Sequence, residues 1–291
     1  MNNPAPANTA APVPPSRDSS IGGLLLESGK ITPENAERVL RMQRELGIRF
    51  GEAAQRLGLI TEADIQHVLA RQFDYPYLLE NEGKFSHQLV AAYQPFSVQV
   101  ETLRAIRSQL ILRWFQTGRK SLAILSINPE DNAALFCANL AIVFSQLGEH
   151  TLLVDANLRA PRQSELFDLK AQQGLSDMLA GRAEASSAAK IDSFVDLSVL
   201  PAGTLPPNPQ ELLNRPAFGA LNMQLENRYD VVLYDTPALS LGSESLAIAA
   251  RAGGALLLAR KNKTPLADLN AVTTQLTSTG VQVVGSVLVD F

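Results

Sequence analysis

The sequence is poor in the groups that build disulfides, metal centres and membrane spans. Among 291 residues there is one cysteine, Cys137, and there are three histidines, His67, His87 and His150, far apart in the chain. A lone cysteine closes no internal disulfide, and histidines so spaced offer no metal-ligand cluster, so a reducing compartment and no metal centre are expected. Apolar runs such as 254–259 fall far short of the roughly 20 residues that cross a bilayer. Basic charge is not in excess either: 25 Lys and Arg stand against 29 Asp and Glu, for a net charge of −4. Without a broad cationic field, nucleic acid is not an expected partner. The opening MNNPAPANTAAPVPPS lacks both the basic start and the apolar core of a secretory signal, so the expected location is the cytoplasm.

What is present divides the chain. Residues 1–19 hold five prolines and almost no large apolar side chain, too little to offset the entropy of ordering, and are read as a disordered tail. From 20 to 79 the sequence is duplicated. IGGLLLESGKITPENAERVLRMQ is echoed by FGEAAQRLGLITEADIQHVLARQ, so that Gly22/Gly51, Gly29/Gly58, Thr32/Thr61 and Gln43/Gln72 each differ by 29. Each copy reads as a short helix, a glycine suited to positive φ, a threonine N-cap and a second helix. Residues 80–100 show no sustained period and read as a connector. From 101 to 291 short buried strands, at 122–126, 151–155, 197–201, 231–235, 255–260 and 281–289, alternate with helices, which predicts an α/β fold around a mostly parallel sheet covered on both faces.

Three segments carry the chemistry. LLVDANLRAPRQ (152–163), LPAGTLPPNPQELL (200–213) and YDVVLYDTPAL (229–239) resemble the second Walker-A-type motif, the following loop and the Walker B motif of bacterial tyrosine kinases. With the duplicated module in front, the chain is most similar to exopolysaccharide chain-length-determinant tyrosine autokinases. The resemblance implies a deviant P-loop NTPase-like fold, ATP and magnesium as cofactors, and an inner-membrane polysaccharide chain-length-determinant protein as partner. It places the chain in the cytoplasm, peripheral to the inner membrane through that partner. The duplicated module itself resembles the N-terminal domain of type II secretion and pilus ATPases, whose two R-L-G repeats bind cyclic di-GMP. On that likeness Arg49, Gly51 and Gly22 are candidate contacts for cyclic di-GMP. The first copy reads Ser20-Ile21-Gly22, without the arginine of Arg49-Phe50-Gly51.

The loop after the first strand departs from its family. It reads Ser126-Ile127-Asn128-Pro129-Glu130-Asp131-Asn132-Ala133-Ala134. Ala133 stands where the phosphate-binding Lys is implied and Ala134 where the magnesium-binding hydroxyl is implied, while Glu130 and Asn132 occupy glycine positions. The loop residues Asn128, Glu130, Asp131, Asn132, Ala133 and Ala134 thus form a degenerate nucleotide loop. No active catalytic residue is expected. Asp155, Asn157 and Asp235 are read as vestigial, Asn157 replacing the family's second aspartate, and Asp155 with Asp235 as the remnant of a magnesium site or as acids that cap the next helix. Val289 stands where relatives often place an Asn against adenine.

Glu101, Arg104 and Arg107 match the E-x-x-R-x-x-R helix through which these kinases assemble, which implies self-association or association with an active kinase paralogue. The tyrosines, Tyr75, Tyr77, Tyr93, Tyr229 and Tyr234, all precede the final residues, so the family's tyrosine-rich substrate tail is expected to be absent. Cys137 reads as a small buried residue. Three readings follow: a degenerate pseudokinase that regulates or scaffolds exopolysaccharide synthesis, an active autokinase with an unusual loop, and a cyclic di-GMP receptor subunit.

Overall fold

In the computed structural model, residues 20–72, 76–78, 83–170, 173–184 and 187–290 are described. The chain divides into two compact units, Met1–Tyr75 and Pro76–Phe291.

The first unit holds α1 (Ile21–Glu27), α2 (Pro33–Leu46), α3 (Phe50–Arg56) and α4 (Glu62–Gln72). Gly29 and Gly58 both take φ of 67°, the left-handed geometry that lets each copy turn between its helices without a Cβ clash. Thr32 caps α2 by accepting from the Asn35 amide at 3.3 Å, and Thr61 accepts from the Asp64 amide at 3.2 Å while Asp64 accepts from the Thr61 amide at 2.9 Å. Leu25, Val39, Ala53, Ala54 and Val68 form the shared core. Lys30 pairs with Asp64 at 2.7 Å. Burial alone would raise the Asp64 carboxyl, but hydrogen bonds from Lys30 and Thr61 outweigh it and hold it down to about 2.

In the second unit α5 (Val90–Tyr93) and α6 (Val98–Arg113) precede β1 (Ser121–Ser126). Then follow α7 (Ala133–Ser145), β2 (Thr151–Asp155), α8 (Gln163–Leu166), α9 (Leu175–Leu179), β3 (Ala189–Lys190), β4 (Leu197–Leu200), α10 (Pro209–Leu213) and α11 (Pro216–Glu226). The chain continues through β5 (Val231–Asp235), α12 (Glu244–Ala252), β6 (Gly254–Arg260), α13 (Leu266–Ser278) and β7 (Gln282–Val289). Among the described residues the strands form one sheet in the order β3-β4-β2-β5-β1-β6-β7, parallel throughout except for β3 against β4.

Alternate strand residues feed two cores, one on each face. Leu122, Ile124, Leu153 and Leu233 pack with residues of α5, α6 and α7, whereas Ala123, Leu125, Leu152, Val154 and Val232 pack with residues of α9, α10, α11 and α12. Helix α7 is apolar on all sides and almost wholly buried, as its position under the sheet requires.

The segment 80–100, read from sequence as a connector, contributes Leu89, Ala91, Ala92 and Tyr93 to the core of the second unit. Two buried side-chain amides hold it there, one in α7 and one at its C-cap: Asn139 Oδ1 accepts from the Ala91 amide at 2.8 Å, and Gln146 Nε2 donates to the carbonyls of Pro76 and Ala91 at 2.9 and 3.0 Å. The compact second unit therefore begins at Pro76 rather than at residue 101.

Trp114 is buried, donates from Nε1 to the Ser121 carbonyl at 2.9 Å, and lies against Gly254, where a Cβ would fall inside the indole's van der Waals surface. Gly254→Ala is accordingly expected to lower the unfolding free energy by about 1–3 kcal/mol through overpacking. Denaturant unfolding of the two proteins checks this.

Candidate functional site at the carboxyl edge of the sheet

β1 lies inside the sheet, between β5 and β6, while β2 pairs on the far side of β5. The chain direction across the sheet reverses around β1, and ligand crevices of open α/β sheets form at the carboxyl ends of strands around such a reversal. Loops following β1, β2 and β5 meet the same edge.

β2 and β5 end in register at Asp155 and Asp235. Both are buried. Asp155 Oδ2 accepts from the amides of Arg162 and Gln163 at 3.0 and 2.9 Å, capping the first turn of α8. Gln163 joins the two strand ends: its backbone amide is on Asp155, and its side chain donates from Nε2 to Asp235 Oδ2 at 2.8 Å and to the Ala134 carbonyl of α7 at 3.0 Å. Asp155 Oδ1, Asp235 Oδ1 and Gln163 Oε1 are buried with no hydrogen-bond partner.

Burial raises the Asp155 carboxyl to about 7, against the opposing pull of amide hydrogen bonds from Gln163, Asn157 and Arg162. Burial, and then the neighbouring Asp155 charge, push Asp235 well above the carboxylate range. Burial and the same two carboxylates also raise the Cys137 thiol, which keeps it protonated and inert. Asn157 is used locally, accepting from the Ala160 amide at 3.1 Å.

Three orphaned oxygens from two carboxyls and an amide make a donor set suited to a hard divalent cation or to protons. Asp155, Asp235 and Gln163 would hold that cation. Among the described residues there is no group of three or more His, Cys, Asp or Glu placed to bind a metal.

The loop after β1 does not fit a nucleotide's phosphates as the strand ends fit a cation. Pro129–Asp131 form a 3-10 turn, Asn132 takes φ of 53°, and α7 begins at Ala133. Ala133 and Ala134 are buried and present methyl groups. Asp131 is buried, and its Oδ2 accepts from the Asn128 amide at 2.9 Å. Glu130 is exposed. Two cations reach this loop: Arg162 Nη1 lies 3.4 Å from Asn132 Oδ1, and Arg260 Nη1 lies 3.4 Å from the Glu130 carbonyl. Val289 ends β7 in a buried position.

One part of the site had no signal in the sequence. Glu244, fully buried at the start of α12, accepts from Arg159 Nε at 2.9 Å and from the same guanidinium's Nη2, joining the loop after β2 to the one after β5. Gln163 lies inside a motif-bearing segment, yet its bridging role depends on a partner 72 residues away.

The other candidates lie elsewhere. On α6, Glu101 pairs with Arg104 within the helix, while Arg107 turns inward and donates from Nη1 to the Val143 carbonyl at 2.7 Å. The expected face of three charges is therefore a Glu101–Arg104 pair plus an arginine that ties α6 to α7. In the first unit, Gly22 lies against the Phe50 ring and Gly51 against Ile65, with room for neither to carry a Cβ comfortably, so both glycines have a packing role. Arg49 is exposed at the start of α3.

No protein-family model matches the sequence. The tyrosine-protein kinase YwqD of Bacillus subtilis is 31% identical over 188 residues, covering 64% of this chain and 79% of that protein. The chain belongs to the bacterial tyrosine-kinase family. The tyrosine-protein kinase Wzc of Salmonella typhimurium is 33% identical over 201 residues, which cover 69% of this chain and 28% of Wzc, so the chain spans under a third of that kinase's length. The solved kinase domain of the Escherichia coli tyrosine kinase Etk superposes with a TM-score of 0.67 at 28% identity, covering 74% of this chain and 85% of that one. The deviant P-loop sheet with helices on both faces is thus the fold of this chain, and among the described residues no helix is long and apolar enough to cross a membrane.

The acid pair makes a pH prediction. Asp155 and Asp235 have folded pKa values above the roughly 3.9 of an unfolded Asp. Their stabilising protonation is complete below that value and is lost as pH rises, for Asp155 through about 7, while Asp235 is pushed well above the ordinary carboxylate range. In chelator, the melting temperature is expected to fall from pH 5 to pH 8. Asp235→Asn should raise it at pH 8 and flatten the slope, as calorimetry at several pH values will record.

Proposed function

We propose that this chain is a catalytically degenerate member of the tyrosine-kinase family that regulates or scaffolds exopolysaccharide synthesis and export, by associating with its own copies or with an active family member beside a membrane chain-length-determinant protein. One observation carries the reading. The loop after β1 offers two methyl groups, at Ala133 and Ala134, and a buried carboxylate, at Asp131, where a triphosphate and its metal need an ammonium, a hydroxyl and free amides.

The magnitudes favour loss of nucleotide chemistry. Each charge-assisted contact to phosphate is worth about 1.5–3 kcal/mol. Losing the ammonium and the hydroxyl together removes about 3–6 kcal/mol, roughly a hundred- to ten-thousandfold in affinity. The orphaned oxygens at Asp155 and Asp235 are then satisfied by protons or a cation without any phosphate to act on. The packing of Gly22 and Gly51 supports a structural part for the tandem unit, and the cyclic di-GMP reading, which rests on the exposed Arg49, is not adopted.

Incubated with ATP and magnesium, the purified protein is expected to give no phosphotyrosine above the level of its Asp155→Ala variant, by immunoblot and mass spectrometry. Phosphotyrosine that appears and is lost with Asp155→Ala contradicts the degenerate reading.

Association is expected through the outer side of α6. The double exchange Glu101→Arg with Arg104→Glu keeps an ion pair within the helix but reverses the charges shown to a neighbour, and it leaves Arg107 in place on Val143. Light scattering should show assembly for the unaltered protein, alone or with an active kinase of the family, and its loss in the exchanged variant at unchanged melting temperature. An unaltered protein that is monomeric in both settings removes the scaffold.

A further inference from the structure

We infer that the Asp131 carboxylate is a built-in anion that takes the place of a bound phosphate in the loop after β1, locking the loops at the carboxyl edge in one arrangement without nucleotide. This rests on the degenerate reading of the same loop and says what the loop does instead.

A phosphate-binding loop has backbone amides pointing inward and a helix whose positive end lies just behind them, so it attracts an anion whatever its source. Here the anion is covalently part of the loop. Asp131 is 1% exposed, its carboxylate accepts from the Asn128 amide at 2.9 Å, and its own amide donates to the Asn128 carbonyl at 3.1 Å. A carboxylate buried to that extent is costly unless it is held by donors. Two neighbours make the arrangement rigid. Pro129 fixes its own φ and brings no amide. Asn132, at φ 53°, occupies the left-handed conformation at which the chain turns into the 13-residue α7.

The loop closed in this way is a hub. The Ser240 amide, in the loop after β5, donates to the Ile127 carbonyl at 3.0 Å. Arg162, from the loop after β2, reaches Asn132 Oδ1 at 3.4 Å, and Arg260, at the end of β6, reaches the Glu130 carbonyl at 3.4 Å. Residues 127–132 therefore connect the ends of β2, β5 and β6 through contacts that depend on the shape Asp131 sets. In this chain the order is permanent, which suits a scaffold that must present one surface at any nucleotide level.

Hydrogen exchange of the full chain tests the lock. Asp131→Ala should speed amide exchange about tenfold or more across 127–132, 157–162 and 239–242 while leaving peptides of the first unit unchanged. Asp131→Asn, which keeps the side chain's shape and removes its charge, should speed the same segments. In a second arm, a loop carrying Glu130→Gly, Asn132→Gly, Ala133→Lys and Ala134→Ser should bind ATP at least tenfold more tightly when Asp131→Gly is added than when Asp131 is retained. Unchanged exchange in both single variants, or equal ATP affinity in the two rebuilt loops, overturns the lock and leaves the degenerate reading standing. ATP with magnesium that slows exchange of 127–132 in the unaltered chain overturns both.

Discussion

Two carboxylic acids at the ends of adjacent buried strands set the terms for everything around them. Asp155 and Asp235 sit side by side because β2 and β5 pair in register, and neither can be moved without shifting the centre of the sheet. Their charges repel in a dry site, so the surroundings are built to hold them: two amides of the α8 turn on Asp155, the Gln163 amide on Asp235, and protons taken up at ordinary pH. The bend of the chain from β2 into α8 follows from that capping, and Gln163 then ties the acids to the first turn of α7. The site is costly to the fold, because Asp155 Oδ1, Asp235 Oδ1 and Gln163 Oε1 are buried without hydrogen-bond partners.

The rest of the edge has changed around this frame. Where phosphate would draw the loop inward, Asp131 supplies the negative charge itself, and where Lys and Ser would meet the ligand, Ala133 and Ala134 close into the protein. The Arg159–Glu244 pair and the contacts of Arg162 and Arg260 hold neighbouring loops together through protein groups alone.

Much of this was legible in the residues because parallel strands buried on both faces announce themselves as short apolar runs. The runs at 151–155 and 231–235 coincide with strands residue for residue, and the others differ by a residue or so at an end. β3 was not legible, since two residues in an antiparallel edge pair carry no period. Nor was the placement of 80–100, because Leu89, Ala91 and Ala92 acquire their core position from Asn139 and Gln146 on a helix some 50 residues away. The losses at Ala133 and Ala134 could be read directly, whereas the burial of Asp131, the bridge made by Gln163 and the Arg159–Glu244 pair are products of folding. Arg107 shows the opposite error: a charge that helical spacing places on an outer face in fact reaches inward to Val143.

The central claim, that the loop after β1 no longer holds a nucleotide, is tested most directly by calorimetric titration of the unaltered protein with ATP and with ADP in magnesium. The account predicts no saturable heat up to millimolar nucleotide. A single-site isotherm with a micromolar dissociation constant, abolished by Asp155→Ala, would contradict it.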